Sequence, residues 1–88
     1  ALAGSTTSTY KVGIQQYLTF CKALDLAPVP STKCQVALFA THLSTSLRLP
    51  TIRVYLAAVS FLHHVGGHRS PVSGNTILKL VLRGIQRK

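Results

Sequence analysis

The chain carries a single acidic side chain, Asp25, against ten lysines and arginines, a formal net charge of +9 over 88 residues. One carboxylate excludes paired-carboxylate acid–base catalysis and an oxygen-rich site for calcium or magnesium. A Ser-His-Asp triad would have to recruit Asp25, and no spacing around it supports one. Glycine-rich phosphate loops and dinucleotide fingerprints are missing as well. Cysteine is scarce: Cys21 and Cys34 are fewer than a secreted disulfide scaffold of this size carries. We expect two reduced, buried thiols that pack as small apolar residues. A zinc ion would have to draw on Cys21, Cys34, His63, His64 or His68, but the two cysteines fall on different helices and do not have zinc-finger spacing. Neither a metal nor another cofactor is expected, and no catalysis by this chain alone. No run approaches the roughly 20 apolar residues of a membrane span.

What is present is apolar and basic. Hydrophobic residues make up 47% of the chain, the composition of a folded domain rather than a disordered tail. The length fits one domain spanning residues 1–88. The chain opens on Ala1 rather than Met, and we expect the native protein to be longer. A surface charged with one sign repels itself, and ordinary surfaces interleave both signs. The natural compensation is a polyanionic partner. Double-stranded DNA fits best, because the basic residues are spread along the whole chain. Membrane-surface proteins concentrate their charge on one amphipathic helix or polybasic run.

Apolar periodicity divides the chain into four helices. The first is expected from Thr7 or Ser8 to Asp25, with N-cap hydroxyls among Ser5, Thr6, Thr7 and Ser8. Its core stripe is Tyr10, Ile14, Tyr17, Cys21 and Leu24. Lys11, Gln15, Thr19 and Lys22 form a polar stripe, and Gly13 would permit a close backbone approach. Pro28 and Pro30 make the following loop stiff. The second helix is expected to start after an N-cap at Ser31 and to end near Ser44, burying Val36, Phe39, Ala40 and Leu43. The third begins near Pro50 and stops at Gly66-Gly67. One of its stripes is Ile52, Tyr55, Leu56, Val59 and Leu62, and a second is Val54, Ala58, Phe61 and Val65. Only the wedge Arg53, Ala57, Ser60 and His64 is left outside, so this helix belongs in the middle of the bundle. His63 projects to the apolar side and reads as a core histidine. The fourth helix runs from about Asn75 to Gln86 with Leu78, Val81, Leu82 and Ile85 inward. The fold class is therefore all-α, a compact bundle of four short helices.

The candidate DNA-binding residues follow from this layout. Arg53, Ala57, Ser60 and His64 share the exposed wedge, where small Ala57 and Ser60 allow close approach to a groove. Arg53 could read a guanine edge or touch a phosphate, and we prefer phosphate because most protein–DNA contacts go there. Thr51, with the amides around it at a helix N-terminus, is a candidate for phosphate. Lys33, in the first turn of the second helix, is unfavourable beside a helix N-terminus unless an anion sits nearby. Arg48 and Arg69 lie in loops, on DNA or in solvent. Lys79, Arg83 and Arg87 lie off the core side of the fourth helix, facing DNA or a further domain.

Several segments resemble the N-terminal, core-binding domain of the tyrosine recombinases, the phage-integrase family. Ser8-Thr9-Tyr10 and then Tyr17-Leu18-Thr19-Phe20-Cys21 resemble its opening helix. Pro28-Val29-Pro30-Ser31 and Val36…Phe39…Leu43 match the loop and helix that follow. Thr51-Ile52-Arg53-Val54-Tyr55-Leu56-Ala57-Ala58 is similar to the family's most recognisable run, and Leu82-Arg83-Gly84-Ile85-Gln86-Arg87 to its ending. Where the family often places a Ser just ahead of the Thr-Ile run, this chain has Arg48-Leu49-Pro50. The ordered set spans nearly the whole chain, and its details look more like eukaryotic mobile elements than bacteria. The resemblance implies a SAM-like bundle that packs on one face of duplex DNA. It also implies a C-terminal catalytic domain, absent here, on the other face, and other recombinase subunits as partners. The setting would be intracellular, at DNA, in the nucleus if eukaryotic. Tyr10, Tyr17 and Tyr55 lie toward the core and are not the family's nucleophile.

Two other classes of function remain open. One is a protein-interaction module that assembles subunits through an apolar patch including Leu38 and Leu80. The other is a helical bundle that binds anionic membranes.

Overall fold

Apolar residues that recur every three or four positions, interrupted by prolines and glycines, become four helices. They are α1 (Ala3–Ala23), α2 (Lys33–Leu43), α3 (Leu49–Val65) and α4 (Thr76–Gln86). The computed structural model describes residues 3–86, with side chains from Thr9 onward. Among the described residues there is no strand, and the chain is an all-α bundle.

The helix ends show which local signals prevailed. Helix α1 starts at Ala3, ahead of the expected Thr7 or Ser8, so Ser5 to Ser8 fall within it. It also stops early. Asp25 takes the left-handed conformation with φ 58°. The Leu26 N–H reaches back to the Cys21 carbonyl at 2.8 Å and the Asp25 N–H to that of Lys22 at 3.2 Å. This is the Schellman arrangement, in which a left-handed residue closes the helix. Leu24, expected in the core, is therefore carried past the helix end and is 50% exposed. Helix α2 is capped by Thr32, not Ser31: the Thr32 hydroxyl accepts from the Gln35 N–H at 3.0 Å. The Ser31 N–H donates to His63 Nε2 at 2.9 Å, and the Ser31 hydroxyl to the Thr32 carbonyl at 3.3 Å. Helix α3 has Pro50 in its first turn, Arg48 at the N-cap with no side-chain cap, and Gly66 at the C-cap.

Helix α1 packs chiefly on α3, and α2 on α4. The two pairs share one core of Tyr17, Cys21, Val36, Phe39, Ile52, Leu56 and Val59, with Leu78 closing it from α4. Phe20, Leu26, Leu62, Val81, Leu82 and Ile85 pack around it. Tyr17 meets Phe39 edge-on at 5.2 Å between ring centres, the arrangement aromatic quadrupoles favour. The radius of gyration, 12.3 Å, matches the ~12 Å of a well-packed domain of this length.

The buried polar groups are all paired, with no buried side-chain nitrogen or oxygen left without a partner among the described residues. Gln35 turns inward and its Nε2 donates to the Ala27 carbonyl at 2.9 Å, holding the proline loop on the core. The Tyr17 hydroxyl donates to the Pro28 carbonyl, and burial pushes that phenol up to about 12. His63 is fully buried. Its Nε2 accepts from Ser31, so Nδ1 carries the ring proton and donates to the Val59 carbonyl at 2.9 Å.

Two expectations about burial are corrected. Cys21 is buried but Cys34 is exposed, because it is the second residue of α2 and points away from the core side. Phe61 and Val65, assigned to the second buried stripe of α3, are 52% and 67% exposed. The Tyr10 ring of α1 packs against Phe61 at 6.2 Å between ring centres.

Candidate nucleic-acid interface

The site is built from the start of α4. Gly74 takes a positive φ of 67° and hands the chain to Asn75, an N-cap whose side chain is nearly saturated. Its Oδ1 accepts from the Leu78 N–H at 3.0 Å. Its Nδ2 donates to the Lys33 carbonyl at 3.0 Å and to the Pro71 carbonyl at 2.9 Å. One buried amide thus caps α4, joins it to the first turn of α2, and anchors the preceding loop.

Held this way, α4 turns its polar flank toward α3. Lys79 and Arg83, one helical turn apart, line a groove together with Arg53 of α3 and Gln86, over a floor of Val72, Leu78 and Leu82. A shallower hollow adjoins it, lined by Arg53, Leu56, Ala57, Ser60, Ser70, Val72, Ser73 and Leu82. Arg53 stands where the two meet. Three cations converge on the groove, and the chain's single acid, Asp25, lies in the turn after α1 and does not line it. An anion in the groove would relieve their mutual repulsion.

The loop over the hollow is fixed by serines. The Ser60 hydroxyl donates to Ser70 Oγ at 2.7 Å, and Ser70 Oγ accepts from the Val72 and Ser73 amides at 3.2 and 3.4 Å. Ser60 is half-buried and its hydroxyl is engaged inside the protein. Its place in the wedge is that of a positioning residue, while Ala57 is exposed.

The remaining candidates among the described residues do not line this groove. Lys33 is the first residue of α2 and exposed, joined to α4 only through its carbonyl. Arg48 is the exposed N-cap of α3, and Thr51 is half-buried in the first turn, ahead of the first helical hydrogen bond from Ile52 to Arg48 at 3.1 Å. His64 and Arg69 are exposed at the other end of α3 and in the loop beyond. Arg87 lies outside the described residues.

Sequence reasoning missed the roles of Asn75 and Phe61. For Asn75 a signal was present, since Gly-Asn-Thr ahead of an apolar run is a helix start. For Phe61 there was none, because periodicity placed it on an apolar stripe and it stands 52% exposed. Elsewhere, an apolar groove between α2 and α4 is lined by Cys34, Ala37, Leu38, Thr41, Ile77 and Val81. Among the described residues no three His, Cys, Asp or Glu side chains gather as a metal site, and no helix is long and apolar enough to cross a membrane. No protein-family model matches the chain, and no curated protein matches it.

Proposed function

We propose that this domain binds duplex DNA, and that it is the SAM-like core-binding domain of a tyrosine recombinase. It grips one face of the duplex so that a catalytic domain elsewhere in the parent protein can act on the other face. The observation that carries the reading is the convergence of Arg53, Lys79 and Arg83 on one groove in a chain with a single acid. Phosphates of a DNA strand neutralise those cations and release condensed counterions. The apolar floor of Val72, Leu78 and Leu82 suits the sugar between phosphates, and the adjoining hollow lets α3 come close to the duplex at Ala57. Ordered resemblance along the chain supports the recombinase assignment. The chain needs no cofactor for this role, and its chemistry is recognition rather than catalysis.

The test is anisotropy of a fluorescent duplex at two salt concentrations, with acidic vesicles as control. With about four to six phosphate contacts, affinity falls about 10²- to 10³-fold between about 50 and about 200 mM salt, and vesicles bind poorly. No duplex binding at low salt overturns the reading.

A second reading rests on the apolar groove between α2 and α4, where Leu38 and Ile77 stand exposed, with Leu80 exposed on α4 nearby. It makes the domain a subunit-assembly module. Self-association in sedimentation that persists at high salt favours it.

A further inference from the structure

Phe61 is a half-exposed phenylalanine on the helix that carries Arg53. Arg53, Ala57 and Phe61 follow one another at intervals of four along α3, and all three are exposed. Two helical turns separate the arginine from the ring, about 12 Å, which spans three to four base-pair steps at ~3.4 Å per step. The methyl of Ala57 sits between them, so the helix backbone can approach a groove wall at the middle of the strip. Tyr10 packs against the ring with centres 6.2 Å apart and planes tilted by 56°. That contact fixes the ring's direction. It also covers one side, which prevents the ring from inserting between base pairs as a wedge would.

A half-exposed ring on the same helical strip as Arg53 suits an apolar group projecting from a nucleic acid. The major groove of DNA offers one such group, the 5-methyl of thymine, and side chains such as Phe and Ala contact it. Resting on the DNA reading above, we propose that Phe61 is a specificity-determining residue that packs against thymine methyls in the major groove, while Arg53 holds the neighbouring phosphate. The preference is for DNA over an unmethylated equivalent, and for thymine at a site about two helical turns along α3 from the Arg53 contact.

The experiment compares an alternating dA-dT duplex with an alternating dA-dU duplex of the same length, which differ only in the thymine methyl groups. The full chain binds the dA-dT duplex about fourfold more tightly, the gain from burying one methyl. Phe61→Ala removes the difference and leaves the salt slope unchanged. Arg53→Ala does the reverse: it lowers the slope by about one and keeps the difference. Phe61→Gln is a second variant that keeps side-chain length, and thermal melts show that each variant is folded. Salt-dependent binding with equal affinity for the two duplexes overturns the thymine contact and leaves the DNA reading standing. A difference that survives in both Phe61 variants belongs to the duplexes and overturns it too. Loss of self-association in Phe61→Ala, with DNA binding unaltered, makes the ring a protein contact and also overturns it. Failure of the full chain to bind either duplex removes both readings.

Discussion

Gly13 and Tyr55 meet backbone to backbone where α1 crosses α3: a methyl group on Gly13 would lie 3.2 Å from the Tyr55 α-carbon and 3.1 Å from its ring. Glycine inside a helix costs about 1 kcal/mol relative to alanine, and here it allows the two helices their close approach. Gly13→Leu forces them apart and lowers stability by about 1–3 kcal/mol, the usual cost of overpacking. Gly13→Ala gains helix propensity but presses on the α3 backbone, so the two effects largely offset. Urea unfolding of both variants separates them, and a gain of a full kcal/mol in the alanine variant would rule out the tight crossing.

Asn75 ties α4 to both α2 and the loop, so its removal acts on stability and on the cationic groove together. Asn75→Ala loses the cap, worth about 1 kcal/mol, and leaves the Lys33 and Pro71 carbonyls unpaired, for a total of about 2–3 kcal/mol. Asn75→Asp keeps the cap acceptor but sets a carboxylate against two carbonyl oxygens, and it also destabilises. Chemical denaturation reads both losses. Duplex affinity of the folded Asn75→Ala fraction falls as well, although Asn75 itself is buried.

Tyr17 makes the fold sensitive to alkali. Burial chiefly raises its phenol, from 10.0 to about 12, with the neighbouring Cys21 adding to the shift and hydrogen bonding with Ser31 and Gln35 opposing it. The folded chain therefore holds the phenolic proton more tightly than the unfolded chain. The resulting stability is fully present below pH ~10 and is lost as pH rises through ~12, by up to about 2–3 kcal/mol. Tyr17→Phe costs about 1 kcal/mol at neutral pH through the lost hydrogen bond to Pro28. Its stability then declines less steeply above pH ~10. Parallel denaturation curves across that range check the difference, and identical alkaline slopes would exclude Tyr17 as the cause.

On the proposed DNA-binding reading, Arg53, Lys79 and Arg83 contact one strand together. Each alanine variant lowers the salt slope of duplex binding by about one and changes stability within about 0.5 kcal/mol, as exposed substitutions do. Lys33→Ala and Arg69→Ala, away from the groove, have smaller effects on the slope. Equal slopes in all five variants would show that the groove is not the contact.

The sequence carried the helices well and the site poorly, for physical reasons that particular residues make plain. Pro50 and Gly66-Gly67 bracket α3 by local chemistry alone, and the structure ends the helix there. Ser31 and Thr32 are both competent caps; Thr32 takes the role, while the Ser31 N–H is held by His63, distant in sequence. Asp25 ended α1 by taking a conformation usually left to glycine, which sent Leu24 outward. Positive charge was evident from composition, but which cations meet was not. Arg53 and the pair Lys79 and Arg83 come together through the tertiary return of α4, which Asn75 helps to fasten. Periodicity set Phe61 on an apolar stripe, yet the ring stands half-exposed beside Tyr10.

The groove of Arg53, Lys79 and Arg83 lies on the seam between the two helix pairs, since α4 is fastened mainly to α2 and meets α3 only lightly. A polyanion laid along it bridges charges from both halves of the molecule and acts as a staple across the seam. Ligand occupancy then raises cohesion as well as filling a surface. Amide hydrogens of α4 should exchange more slowly with DNA bound than without it, through a clasp formed by charge where the hydrophobic contact is thin.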